Sequence, residues 1–180
     1  MKQLSLEGLN FSTTEVNIKD KIMTITLDRP EKKNAMNNVM MNEINYLLAY
    51  AKQEKDIRVV VFAANGDIFC AGADLSRTES KSNVPRLENS DDISLSLRHL
   101  YKPVICKIQG PVLAGALLIV SNATHAIAVD EATFSAPEIH RGLWPFMVMA
   151  GLFRVMPKRA GLDFIMRGKP INSQKAMNGD

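Results

Sequence analysis

Two apolar runs constrain the fold of this chain more than any other feature. They are Arg58-Val59-Val60-Val61-Phe62-Ala63-Ala64 and Lys102-Pro103-Val104-Ile105-Cys106-Lys107-Ile108. Neither alternates polar and apolar residues, as a half-solvated strand does. Both read as strands buried on two faces, the pattern of a parallel sheet. Parallel neighbours need long crossovers, and helical spacing lies between the runs. Val39, Met40, Ile44, Leu47, Leu48 and Ala51 recur at helical intervals after Asn37 or Asn38, either of which serves as a cap. The same helix is expected to carry Glu43, Lys52, Glu54 and Lys55 toward solvent, and Met36, Met40 and Met41 read as core filler. The order strand, helix, strand, helix predicts an α/β fold with right-handed crossovers.

Upstream, residues 13–27 read as two short strands turned at Lys19-Asp20-Lys21, the second stopped by Arg29-Pro30. Downstream, short helices are expected over 93–100, 146–155 and 160–166, a buried helix over 113–122, and a strand over 126–129. Residues 76–92 are polar and turn-rich and read as a long mobile loop, a candidate lid.

Composition narrows the function classes. A net charge of +3 over 180 residues, with no basic run, gives no footprint for nucleic acid. It does suit a small anionic ligand. Cys70 and Cys106 sit in apolar runs without paired metal spacing, so they read as buried thiols and no metal is expected. Polar residues Ser121, Asn122, Thr124 and His125 interrupt the most apolar stretch, and the first residues lack a signal-like apolar core. The expectation is a soluble, cytoplasmic chain with no membrane partner.

Chemistry concentrates in three places. Phe69-Cys70-Ala71-Gly72-Ala73-Asp74-Leu75 and Gly110-Pro111-Val112-Leu113-Ala114-Gly115-Ala116 each put small residues just after a strand. Such turns let a ligand approach the backbone, and a helix start offers unpaired N–H groups. Side by side, two such ends would form a site for a developing oxyanion. Taken alone, each motif is more simply an ordinary tight turn. The third place is Phe134-Ser135-Ala136-Pro137-Glu138-Ile139-His140, where Glu138 lies between a strand end and the apolar Gly142-Leu143-Trp144-Pro145-Phe146 segment. Desolvation there would raise its pKa and suit it to proton transfer; a surface glutamate is the plainer alternative. His125 and His140 lack a serine elbow or a metal-ligand partner at useful spacing.

As a set, four blocks resemble the enoyl-CoA hydratase/isomerase (crotonase) family. They are Ile25 through Met36 with its Asn34-Ala35-Met36 turn, Val59 through Leu75, Lys102 through Gly115, and Phe134 through Pro145. The resemblance implies a crotonase-like (ClpP/crotonase) spiral of repeated ββα units, assembled as a homotrimer or hexamer. It implies an enzyme, a lyase or isomerase of fatty acid metabolism, with an acyl-CoA thioester as substrate. Coenzyme A would enter as part of that substrate, and no covalently bound cofactor is implied. The N–H groups of Ala73 and Gly115 would form the oxyanion hole, with Glu138 as catalytic proton shuttle. Arg29, Lys32, Lys33, Ala71, Asp74 and Leu75 would bind coenzyme A or the acyl group.

The chain departs from the family pattern at two points. Leu118 stands where the hydratases carry a second glutamate, three residues after Gly115, which favours one-proton chemistry such as double-bond isomerisation over hydration. The sequence ends at Asn178-Gly179-Asp180, so residues 1–180 are expected to form one core domain without the usual C-terminal helical segment. The alternatives are a catalytically impaired acyl-CoA binding or assembly protein of the same fold, and decarboxylation or C–C cleavage with His140 or Arg141 holding a substrate carboxylate.

Overall fold

The computed structural model describes residues 3–76, 82–87 and 92–179. Strand β1 (Thr14–Lys19) pairs antiparallel with β2 (Ile22–Leu27). Asp20 and Lys21 both take positive φ in the turn between them, which matches the right-handed twist of a two-residue hairpin. Helix α1 (Asn38–Gln53) then crosses to β3 (Val59–Ala64), which lies parallel to β2. Helix α2 (Ile93–Arg98) leads to β4 (Val104–Ile108), parallel to β3. Next come β5 (Val112–Leu113), a 3-10 turn (Ala114–Ala116), α3 (Leu117–Asn122) and β6 (His125–Ala128). The last part holds β7 (Thr133–Ser135), a second 3-10 turn (Pro137–Arg141), α4 (Phe146–Leu152), α5 (Lys158–Arg167), β8 (Ile171–Asn172) and α6 (Ser173–Asn178).

The strands form two sheets. One has the order β1-β2-β3-β4-β6 and is parallel apart from β1; the other has the order β5-β7-β8. The first sheet packs against α1, burying Met23, Ile25, Leu27, Val60 and Phe62 with Met40, Ile44, Leu47 and Leu48. The Asn37 side chain caps α1 by accepting the Met40 N–H at 2.8 Å, a contact worth about 1 kcal/mol. At the other end of α1, Lys102 Nζ donates to the Ala51 and Glu54 carbonyls, so the start of β4 closes the helix over which β3 is reached.

The structure corrects the reading of Glu43. It is fully buried rather than solvent-facing. Its carboxylate accepts from the backbone N–H groups of Ser12 and Thr13 and from the hydroxyls of Ser12, Thr13 and Thr14. A run of hydroxyls twenty-nine to thirty-one residues away supplies the donors, and helical periodicity does not register such a partner. The expected single helix over 113–122 is split. Val112 and Leu113 are drawn into the second sheet opposite Phe134 and Ser135, and Ala114 takes a positive φ that ends any continuous helix there. Strands β5, β7 and β8 are two or three residues long, too short to leave a period-2 signal.

Of the expected mobile loop over 76–92, residues 77–81 and 88–91 lie outside the described residues. The part between them is tethered. Asn83 bonds the backbone of Gly8 and Asn10, Val84 is buried, and the Val84 carbonyl accepts from Asn42 Nδ2. Among the described residues no helix is long and apolar enough to cross a membrane.

Candidate active site

The three glycine- and glutamate-bearing segments converge at one end of the second sheet. Cys70 makes an isolated parallel bridge to Val112, and Val112 pairs in parallel with Phe134. Cys70, Val112 and Phe134 therefore lie in one row across three parallel segments. All three chains leave that row in the same direction. Ala73 and Gly115 follow three residues on, and Glu138 four residues on. Neighbouring strands run about 4.8 Å apart, so the exits are side by side at the carboxyl ends, where α/β sheets present ligands.

The direction of the Ala73 N–H follows from its neighbours. Ala73 bridges Met36 in parallel: Met36 N–H donates to the Gly72 carbonyl at 2.7 Å, and Asp74 N–H donates to the Met36 carbonyl at 2.9 Å. A parallel bridge uses the groups flanking the central residue, which turns that residue's own N–H to the opposite side. Gly115 lies on that side, and a Cβ built on it would sit 3.7 Å from Ala73 N and 3.8 Å from Met36 Cε. Gly115 is the second residue of a 3-10 turn whose first closing bonds come from later residues, so its N–H has no intrahelical acceptor. The Ala73 and Gly115 backbones thus stand next to each other, Ala73 exposed and Gly115 half-buried.

Gly72 makes this approach possible. It has φ +88, and a Cβ there would lie 2.8 Å from Ala114 Cβ, 2.9 Å from the Leu113 carbonyl and 3.0 Å from Gly115 N. Only glycine fits both that backbone conformation and that space.

Glu138 sits in the second 3-10 turn, directly after Pro137. It is half-buried, and its Oε2 is buried without a hydrogen-bond partner among the described residues. Burial pushes its carboxyl above the usual carboxylate range, and a backbone hydrogen bond from its own N–H offsets this only in part. A half-desolvated carboxyl with an oxygen unpartnered among the described residues suits proton transfer. Leu118 lies one turn of α3 beyond Gly115, half-buried and packed on the core.

The residues expected to hold coenzyme A divide. Lys32 and Lys33 are exposed on the first 3-10 turn (Pro30–Lys32) and its left-handed cap, and the Lys33 carbonyl accepts from Ala71 N–H at 3.0 Å. Their charges therefore flank the loop that carries Ala71 and the exposed Leu75. Arg29 and Asp74 are corrected: neither side chain faces solvent. Arg29 Nη1 lies 3.0 Å from Asp74 Oδ2 with the two side chains 6% and 7% exposed, and it also donates to the Ala35 carbonyl. Hydrogen bonds from Ser76 first, and the Arg29 pair after them, hold the Asp74 carboxyl down to about 2.

Sequence reasoning missed the side chain that organises this corner. Asn34 is fully buried with φ 53; its Oδ1 accepts from Arg29 N–H, and its Nδ2 donates to the Asn65 and Ile68 carbonyls, each at 2.8 Å. Its own carbonyl accepts from the Cys70 thiol at 3.0 Å. The signal was an asparagine in a turn, the residue type that tolerates left-handed backbone. Cys70 and Cys106 are buried free thiols, and burial pushes both up to about 12, which makes them inert. His125 is exposed on edge strand β6. His140 Nε2 is 3.2 Å from the Gly168 carbonyl, which ties the Glu138 turn to the end of α5.

Residues 17–179 match the family described as enoyl-CoA hydratase/isomerase. The human protein named enoyl-CoA hydratase domain-containing protein 3, mitochondrial, is 27% identical over 88% of this chain and 54% of its own length. A trans-2-decenoyl-acyl-carrier-protein isomerase from Streptococcus mutans is 30% identical over 94% of this chain and 67% of its own length. The crystal structure of an enoyl-CoA hydratase from Mycobacterium smegmatis superposes with a TM-score of 0.82 at 24% identity, covering 93% of this chain and 67% of that one. The chain thus spans about half the length of the human relative, and it has the crotonase fold.

Proposed function

The chain belongs to the enoyl-CoA hydratase/isomerase family, and from that premise we propose that it acts on acyl thioesters of coenzyme A by stabilising an enolate at Ala73 and Gly115. The observation that carries this reading is the packing of the Ala73 and Gly115 backbones against each other at the same sheet end that presents Glu138, whose Oε2 has no hydrogen-bond partner among the described residues. The thioester oxygen accepts from both N–H groups. Glu138 removes a proton from the carbon next to the thioester, and the electron pair flows to that oxygen. Because the charge is larger in the enolate than in the thioester, the two donors lower the barrier rather than only the ground state. Exposed Lys32 and Lys33 suit the phosphates of the coenzyme A moiety.

Leu118 favours isomerisation over hydration within this reading. One carboxyl suffices to move a 3-enoyl double bond to the 2-position: Glu138 takes the C2 proton, the double bond shifts to C2–C3, and the same proton returns to C4. Adding water calls for a second group to activate it, and Leu118 offers none. The isomerase named among the relatives supports the same choice.

The test is a spectroscopic assay of the purified chain with 3-enoyl-CoA and 2-enoyl-CoA, with a native mass measurement on the same sample. Conversion of the 3-enoyl to the 2-enoyl thioester is the expected result. Binding of the thioester by a folded chain with no turnover of either substrate would replace the enzyme reading with that of an acyl-CoA binding or assembly protein.

A further inference from the structure

The oxyanion reading depends on the aim of the Ala73 N–H group, and the residue that follows it is tethered through both carboxylate oxygens. We infer that the buried Arg29–Asp74 ion pair is a positioning device that fixes the direction of the Ala73 N–H. This inference rests on the function proposed above and names residues that act through Ala73 rather than on substrate.

Asp74 is held from three sides. Its backbone N–H donates to the Met36 carbonyl, Oδ1 accepts from Ser76 N–H at 2.9 Å, and Oδ2 accepts from Arg29 Nη1 at 3.0 Å. Arg29 is itself anchored, its N–H on Asn34 Oδ1 and its Nη1 shared with the Ala35 carbonyl. Met36, the residue after Ala35, carries the bonds on both flanks of Ala73. The pair therefore clamps the 72–74 segment to the 34–36 turn one residue beyond the proposed donor. Rotating the Ala73 peptide would break the Met36 N–H bond to the Gly72 carbonyl, and the clamp holds the next residue against the shift that would go with it.

A buried ion pair adds little net stability over apolar residues of similar volume, so stability alone gives no reason for one here. An oxyanion donor, in contrast, must lie within a few tenths of an ångström of its working distance, and loss of one donor costs about 10²- to 10³-fold in turnover. The guanidinium has a second effect. An unpaired carboxylate one residue from the oxygen would oppose the negative charge that builds there, and Arg29 cancels it.

The experiment is difference infrared spectroscopy of the thioester carbonyl in a saturated acyl-CoA bound to the full chain, compared for wild type, Asp74→Asn and Arg29→Lys. Steady-state kinetics and thermal melting accompany it. The wild type should shift the carbonyl stretch to lower frequency. Both variants should bind the acyl-CoA within about threefold of wild type, lose most of that shift, and lower kcat by about 10- to 100-fold with KM within about threefold. Arg29→Lys keeps the charge and most of the volume, so it carries the test if Asp74→Asn does not fold. A full carbonyl shift and unchanged kcat in a folded variant would overturn the positioning role while leaving the proposed function intact. No carbonyl shift in the wild type itself would overturn the oxyanion reading, and this inference with it. A wild type that shifts the carbonyl but turns over neither substrate still reads the clamp through the spectrum.

Discussion

A methyl group on Gly72 would sit 2.8 Å from the methyl group of Ala114, so the two small-residue turns of the site are packed against each other and not merely near each other. The contact is compounded by φ +88 at Gly72 and by the Leu113 carbonyl at 2.9 Å. Gly72→Ala is therefore expected to cost about 2–4 kcal/mol from backbone strain and overpacking. Denaturant unfolding measures it. Adding Ala114→Gly should recover part of the loss, because it removes one of the three close contacts and a positive-φ alanine. Strict additivity of the two changes would refute direct packing.

Glu138→Gln should leave acyl-CoA binding close to wild type and lower turnover by about 10²- to 10⁴-fold, the usual contribution of a positioned acid–base group. Unchanged turnover would remove Glu138 from the mechanism.

The same residue sets a pH dependence of stability. Its folded-state pKa is raised by burial, so the folded chain holds this proton more tightly than the unfolded one. Stability should then fall as pH rises from the ordinary carboxylate pKa toward the raised value, and level off above it. Asp74 has the opposite sign. Its pKa is lowered to about 2, so its contribution is present above the ordinary aspartate pKa and is lost as pH falls toward 2. Melting curves across this range should lose the Glu138 component in Glu138→Gln and keep the Asp74 component.

Leu118→Glu would place a second carboxyl one helical turn beyond Gly115, on the same face at i, i+3. It should raise hydration of 2-enoyl-CoA by about 10²-fold, at a stability cost of about 1–3 kcal/mol for a polar group on a half-buried position. The loss of conjugated-enoyl absorbance reports the rate. No gain in a folded variant would mean that more than the missing carboxyl stands between this site and hydration.

Asn34→Ala would leave the Arg29 N–H and the Asn65 and Ile68 carbonyls without their partner and put alanine at a left-handed φ. The expected loss is about 3–5 kcal/mol, or about 10 °C in Tm for a chain of this size. A melt within a degree or two of wild type would mean that the turn holds its shape without the side chain.

Much of this protein was determined by local sequence. Two β-branched runs required buried parallel strands, and Asp20 with Lys21 shaped a hairpin between alternating segments. Asn37 with its apolar heptad positions made α1. Each of these signals lies within a few residues of its effect, through backbone propensity, capping or periodicity. Tertiary structure decided the rest. Strands β5, β7 and β8 exist because partners far along the chain satisfy their hydrogen bonds, not because two or three residues prefer to be extended. Glu43 is buried because Ser12, Thr13 and Thr14 arrive to bond it, and Arg29 turns inward because Asp74, forty-five residues later, offers a carboxylate. The motifs around Gly72, Gly115 and Glu138 were legible one by one. That they share one sheet end was settled by the register Cys70–Val112–Phe134, a relation between segments that no local pattern encodes.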